Sequence, residues 1–346
     1  MARVLVGMSG GVDSSVAALL LQKQGYEVVG VTLNLWKKAK EDVVRDARSV
    51  CEKLEMEYHI LDFSDLFREK VIDYFADEYM HGRTPNPCNA CNRHIKFEAL
   101  LQRAVNELNC EYIATGHYAK VEFDSETGRY FLRKSQADKK DQTYALYNLT
   151  QAQLARTLMP LGEYTKEEVR KIAEENGLVN ANRKDSQEIC FVEDNDYIRF
   201  IQETYGYVSK KGNFVDVEGN ILGEHQGIIH YTIGQRKGLG IAFQKHMYVL
   251  RLDVKKNEVV LGDQEQLFAD TLICNKVNLM KFAKLESSIS AQVKIRYSAQ
   301  AENATLIPME NEKIKVVFDE PQRAITPGQA AVFYDGDAVI GGGSIL

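Results

Sequence analysis

Three cysteines stand where a sulfur could act on a substrate rather than fill a core. Cys88 and Cys91 form a Cys-x-x-Cys within "HGRTPNPCNACNRHIKFEAL" (81–100), a polar loop stiffened by two prolines and close to the start of a helical pattern. A helix N-terminus lowers a thiol pKa, and Arg83, Arg93 and Lys96 add positive charge with no acid between them. Both sulfurs are therefore expected as reactive thiolates. A third candidate, Cys190 in "KDSQEICFVEDNDY", has polar flanks; alone it reads equally well as a site or as filler. Cys51, Cys110 and Cys274 fall on apolar faces or beside strands and read as core. Six cysteines in 346 residues make no disulfide framework, and a close pair in a reducing compartment points to metal or redox chemistry.

A second chemical feature is "SGGVDSSV" (9–16), between an apolar run and a helical one. Two glycines after a buried strand let the backbone turn tightly and approach a ligand, while the following helix offers free N–H groups and the positive end of its dipole. That corner suits an anion. No Gly-Lys-Ser/Thr follows, so it is not a Walker loop, and it is not G-x-G-x-x-G. An ordinary helix cap after a glycine turn uses similar residues, with Asp13 as a cap.

Around these residues the first part of the chain alternates strand and helix patterns. "RVLVGM" and "EVVGVTLNL" read as buried strands flanking the helix "SVAALLLQKQ", which stops at Gly25. A helix over about 41–54, the strand "EYHILDF", a helix capped by Ser64, a helix near 95–108 and the strand "CEYIATGHY" repeat the cycle. Repeated βα units imply a parallel sheet with helices on both faces. Thr150 caps "QAQLARTL", and "TKEE" (165–168) is a capping box. After about residue 203 the pattern becomes short strands and glycine turns, and from about 268 evenly spaced strands. The expected architecture is α/β, with a catalytic domain over 1–203, a small β-rich domain over 204–267 and a C-terminal β-barrel over 268–346.

Apolar residues make up 45% and charged residues 27%, the composition of a soluble globular protein. The N-terminus lacks a basic region, a cleavage site and an apolar stretch long enough to span a bilayer, so a cytoplasmic protein with no membrane contact is expected. A net charge of −6 argues against coating nucleic acid by bulk attraction, although local basic patches could still bind it.

The string "SGGVDSS" resembles the pyrophosphate loop of ATP pyrophosphatases, which split ATP between the α and β phosphates. Together with "GRTPNPCNACNRHIKF", "ATGHYA", "KDQTYAL", "DSQEICF", "YTIGQRKGLG", "IRY" and "TPGQAAVFY", in that order and spacing, it resembles the bacterial tRNA-specific 2-thiouridylases over nearly the whole chain. The resemblance implies sulfur insertion at C2 of a wobble uridine, with ATP and Mg²⁺, and a persulfide-carrying donor such as a cysteine desulfurase or relay protein. It implies ATP contacts at Gly7, Met8, Ser9, Gly10, Gly11, Val12, Asp13, Ser14, Leu33 and Gly116, with Asp13 on Mg²⁺. By the same resemblance Cys190 carries the persulfide, and Cys91 frees the sulfur and is left in a disulfide with Cys190. The implied tRNA contacts are Asn86, Pro87 and Cys88 at the base, then His117, Lys140, Asp141, Gln142, Arg296, Tyr297 and Gln329, on a monomer. "GQRKGLG" (234–240) reads as a further phosphate-facing loop.

One departure is Cys88, which stands where many relatives have an aspartate proposed as an acid/base or orienting group for the uridine, a role that Cys88 would take over. With Cys91 and Cys190 it could instead hold an iron–sulfur cluster with one open iron. Two alternatives remain open from the sequence: an amide- or arginine-forming ligase sharing the glycine corner, and a non-catalytic RNA- or cluster-binding protein.

Overall fold

A computed structural model of the chain describes all residues except 37–40, 138–139, 179–188, 193 and 242–244. Within the motif "DSQEICF", residues 185–188 lie outside the described residues; Cys190 is inside them.

The first layer is a five-stranded parallel sheet in the order β3-β2-β1-β4-β7, built from β1 (Arg3–Gly7), β2 (Glu27–Asn34), β3 (Glu57–Asp62), β4 (Tyr112–Ala114) and β7 (Thr157–Leu158). Val4, Leu5 and Val6 of β1 are fully buried, as a continuous apolar run in a two-sided sheet requires. The helix Val12–Lys23 buries Val12 and the run Ser14–Leu21. Strand order reverses between β1 and β4, and in open α/β sheets ligands bind at such a switch point, beyond the strands' carboxyl ends. Two longer helical stretches cover the sheet, 64–80 and 87–107. Each contains a wide-turn segment, Arg68–Asp73 and Asn92–Ala99, of a kind that often marks functional sites. The expected helix near 95–108 thus begins eight residues earlier, because Asn86 and Pro87 start it. Ser64 does not cap its helix: it is the first helical residue, and its N–H donates to Asp62 Oδ1 at 2.8 Å. The caps at Thr150 and Thr165 are both full capping boxes.

The middle piece is a four-stranded sheet, β10-β11-β8-β9, of β8 (Gly212–Val215), β9 (Ile221–His225), β10 (Tyr248–Asp253) and β11 (Glu258–Gly262), packed on Phe214, Val249, Val259 and Leu261. The last piece is a six-stranded antiparallel barrel of β12 (Phe268–Leu279), β13 (Ile289–Lys294), β14 (Glu302–Pro308), β15 (Ile314–Arg323), β16 (Ala330–Asp335) and β17 (Ala338–Ile345), closed by β12 pairing with β17.

One junction was not expected. A hairpin from the first part, β5 (Ala119–Asp124) and β6 (Arg129–Lys134), joins the barrel sheet edge-on, with Ala338 opposite Arg133. Asn278 in β12 donates to the carbonyls of Tyr147 and Leu149, and Tyr144 Oη donates to Ala330 O. These bonds fix the barrel against the parallel sheet. Among the described residues no helix is long and apolar enough to cross a membrane.

Candidate functional site

The glycine corner sits at the switch point. Gly10 has φ +68°, a left-handed conformation that glycine adopts without strain. Gly11 is the helix N-cap and supplies no side-chain bond, so the first N–H groups of Val12–Lys23 have no capping side chain. Hydroxyls hold the turn: Ser9 N–H donates to Ser14 Oγ at 3.2 Å, while Ser14 and Ser15 donate to Gly11 O at 3.1 and 3.0 Å. Gly116, just past β4, closes over the turn. A Cβ there would lie 2.8 Å from Asp13 C and Ser14 N, so a side chain has no room.

Asp13 differs from expectation. It is not the cap but lies in the first helical turn. Lys166 Nζ donates to both of its carboxylate oxygens at 2.8 Å, and Tyr118 Oη donates to Oδ1 at 2.8 Å. Because both oxygens already face an ammonium, the carboxylate does not fit direct Mg²⁺ coordination.

The Cys-x-x-Cys opens its helix, Pro87–Cys91, with the Asn86 side chain accepting from the N–H groups of Cys88 at 3.1 Å and Asn89 at 3.3 Å. Cys88 is exposed and Cys91 is buried. For Cys91 the expected thiolate is corrected. Burial pushes its thiol up to about 12, against the pull of Lys96, and the nearby Cys190 and Cys88 push it further the same way. Desolvation outweighs the helix terminus here because Cys91 points into the core formed with Ile95 and Phe97. Cys190 is exposed, next to Phe191, which is buried among Phe67, Phe75 and Phe200. The three thiols are neighbours but not a ligand set: among the described residues no group of three or more His, Cys, Asp or Glu surrounds a common point.

The thiols and the glycine corner are joined through one helix and one strand end. Lys96 acts electrostatically on both Cys91 and His117. Phe97 packs on the His117 ring at 5.7 Å, and His117 follows Gly116. Burial holds His117 well below its usual range, so it is a neutral imidazole, its Nδ1 paired with Thr115 Oγ1 at 2.7 Å.

The other expected contacts fall into two groups. Tyr297, about half exposed, reaches Asp141 O with its hydroxyl at 3.4 Å and feels Lys140 and Cys88 electrostatically, so these four lie together. By contrast, several polar side chains are engaged internally: Gln142 Oε1 accepts from Tyr118 N–H, Gln329 donates to Thr84 O, and Arg296 donates to Ala324 O and Thr326 Oγ1. Leu33 packs against the main core. In the 234–240 loop Arg236 and Lys237 are exposed, and Arg323 approaches Gly234 O at 3.5 Å.

Three family models match the chain in succession: a tRNA methyl transferase HUP domain over residues 2–194, a tRNA methyl transferase PRC-barrel domain over 199–263 and an aminomethyltransferase β-barrel domain over 269–345. The tRNA-specific 2-thiouridylase MnmA of Acetivibrio thermocellus is 54% identical over 355 residues, covering 99% of each chain. That of Clostridioides difficile is also 54% identical, covering 99% of this chain and 98% of its own. The chain belongs to the tRNA-specific 2-thiouridylase family. Among solved structures, a 4-thiouridine synthetase–RNA complex with bound ATP is 17% identical over 58% of this chain and 50% of that one, at TM-score 0.38.

In this member of the 2-thiouridylase family, sequence reasoning missed three side chains at the site. Lys166 and Tyr118 hold Asp13, and no spacing rule links residues 105 and 153 positions apart. Lys294 stands over the rings of Tyr297 and Tyr144, and burial lowers its pKa. Its signal was available, since "VKIRY" places a lysine at the end of β13, two residues before Arg296.

Proposed function

We propose that the protein is an ATP-dependent tRNA sulfurtransferase that replaces the C2 oxygen of the wobble uridine with sulfur. The observation that carries this reading is the link from the anion-suited glycine corner, through Gly116, His117, Phe97 and Lys96, to the neighbouring Cys91, Cys88 and Cys190. An amide-forming ligase would need the corner but not the thiols.

The chemistry divides between the two halves. Uridine O2 attacks the α phosphorus of ATP, and pyrophosphate leaves toward the N–H groups that open Val12–Lys23. The C2–O bond then ends in AMP, a far better leaving group than the bare oxygen. The terminal sulfur of a Cys190 persulfide attacks C2 and AMP departs. Cys91, as thiolate, next attacks Cys190 Sγ, the S–S bond to the nucleoside breaks, and 2-thiouridine leaves behind a Cys91–Cys190 disulfide. A two-electron thiol reductant restores the pair. Burial holds the Cys91 thiol protonated in the resting protein, so its attack as a thiolate requires a change of surroundings when substrate binds.

Asn86, Pro87 and Cys88 would meet the flipped base, with Tyr297 available for stacking and Lys140, Asp141, Gln142, His117, Arg296 and Gln329 around it. Mg²⁺ would travel with the ATP phosphates rather than on Asp13. Sulfur would come from a separate persulfide-carrying protein. The experiment is nucleoside mass spectrometry of unmodified tRNA incubated with the protein, ATP and a persulfide source. The expected product carries the oxygen-to-sulfur mass change at the wobble uridine. A methyl gain, the activity that two of the matched models are named for, or no change would defeat the reading.

A further inference from the structure

Lys166 breaks two local rules at once. It is the first residue of the helix Lys166–Glu175, where the dipole disfavours a cation, and its side chain is 5% exposed, although a lysine is costly to bury. The capping box of Thr165 and Glu168 fixes that helix start, so the lysine is held in place rather than drawn in by chance. Its ammonium spans both oxygens of Asp13 at 2.8 Å, and Tyr118 Oη completes the cage.

What the pair does follows from where Asp13 sits. A carboxylate in the first turn of Val12–Lys23 stabilises that helix, but it also puts a negative charge beside the N–H groups that would receive a polyphosphate. The loop sequence brings no cation of its own. We propose that Lys166 is the loop's counter-charge: it neutralises Asp13 and turns it aside, so that the helix terminus stays net positive toward the departing pyrophosphate. Lys166 is thus a positioning residue acting through Asp13. The inference rests on the ATP reading above. Gly116 packs against the backbone of Asp13 and Ser14, so this side of the turn has no room for a further side chain.

The test uses the full-length protein with unmodified tRNA and measures tRNA-dependent pyrophosphate release against ATP concentration for Lys166→Met, Lys166→Arg, Asp13→Asn and the double variant Asp13→Asn/Lys166→Met. An uncompensated Asp13 near the phosphates should raise KM for ATP in Lys166→Met by on the order of 10- to 100-fold, with KM for tRNA little changed. Lys166→Arg should keep most of the affinity. The decisive result is the double variant: with both charges gone its KM for ATP should recover to within a few-fold of wild type, which a merely structural lysine would not allow. If Lys166→Met fails to fold because the half-buried Asp13 carboxylate keeps only Tyr118 as a partner, the double variant, which leaves no uncompensated charge, still answers. A double variant as impaired as the product of the single effects, or an unchanged KM in Lys166→Met, overturns the proposal. Wild-type protein releasing no pyrophosphate would instead overturn the ATP reading.

Discussion

Alkylation of Cys91 separates a buried reserve thiol from the reactive thiolate that its sequence setting suggests. Its pKa of about 12 means that at about pH 8 roughly one molecule in 10⁴ carries the thiolate, whereas an ordinary thiol near 8.5 is roughly a quarter ionised. The more basic sulfur is the better nucleophile once ionised, by about 40-fold over about 3.5 pKa units at a Brønsted slope near 0.45. The two effects leave Cys91 about 60-fold slower than a cysteine reference peptide in the same tube, before any loss from restricted access. Iodoacetamide labelling followed by site-resolved peptide mass spectrometry reads this directly. The rate should rise about tenfold per pH unit between about pH 7 and 10 without a plateau. Adding unmodified tRNA with a non-hydrolysable ATP analogue should accelerate it, because the proposed chemistry needs this sulfur uncovered. Labelling of Cys91 at the peptide's rate in the resting protein would refute the reasoning.

Gly116→Ala places a Cβ 2.8 Å from backbone atoms of Asp13 and Ser14, so it should cost about 1–3 kcal/mol of stability by overpacking. Thermal unfolding together with pyrophosphate release should show both a lower Tm and weaker ATP use. His117 gives a pH signature. Its folded-state value lies well below 6.5, so the unfolded chain takes up the proton first, and the stabilisation is present above 6.5 and lost as pH falls through 6.5 toward the folded value. Urea unfolding between about pH 7.5 and 5.5 should show stability falling by up to about 1.4 kcal/mol per pH unit from this group alone. His117→Gln should flatten that slope; His94, His225 and His230, also lowered by burial, would leave a remainder. An unaltered slope in His117→Gln would mean the imidazole is not buried as described.

The parallel sheet was legible because β1 and β2 are uninterrupted apolar runs separated by one helix, a pattern that few other arrangements can bury, whereas the strand order that makes the switch point was not. The barrel was legible from evenly spaced strands. The hairpin 119–134 was not, because its partner on the barrel edge, β17, lies about 200 residues further along, and local pattern carries no information about which edge a hairpin joins. At the site, the types and the approximate company of the cysteines could be read, but not the burial of Cys91. The polar loop and the helix terminus suggested exposure, while Ile95, four residues on and fully buried, was the sign that this face of the helix turns inward. Asp13 shows the same limit: its place in the loop was plain, yet its partner Lys166 comes from a helix that only the fold brings near.

The most direct measurement is a single turnover by protein carrying one persulfide on Cys190, given ATP and excess unmodified tRNA without reductant. The account predicts one 2-thiouridine and one AMP per enzyme, with a Cys91–Cys190 disulfide appearing at the same rate. Formation of 2-thiouridine at an undiminished rate by Cys190→Ser protein would contradict it.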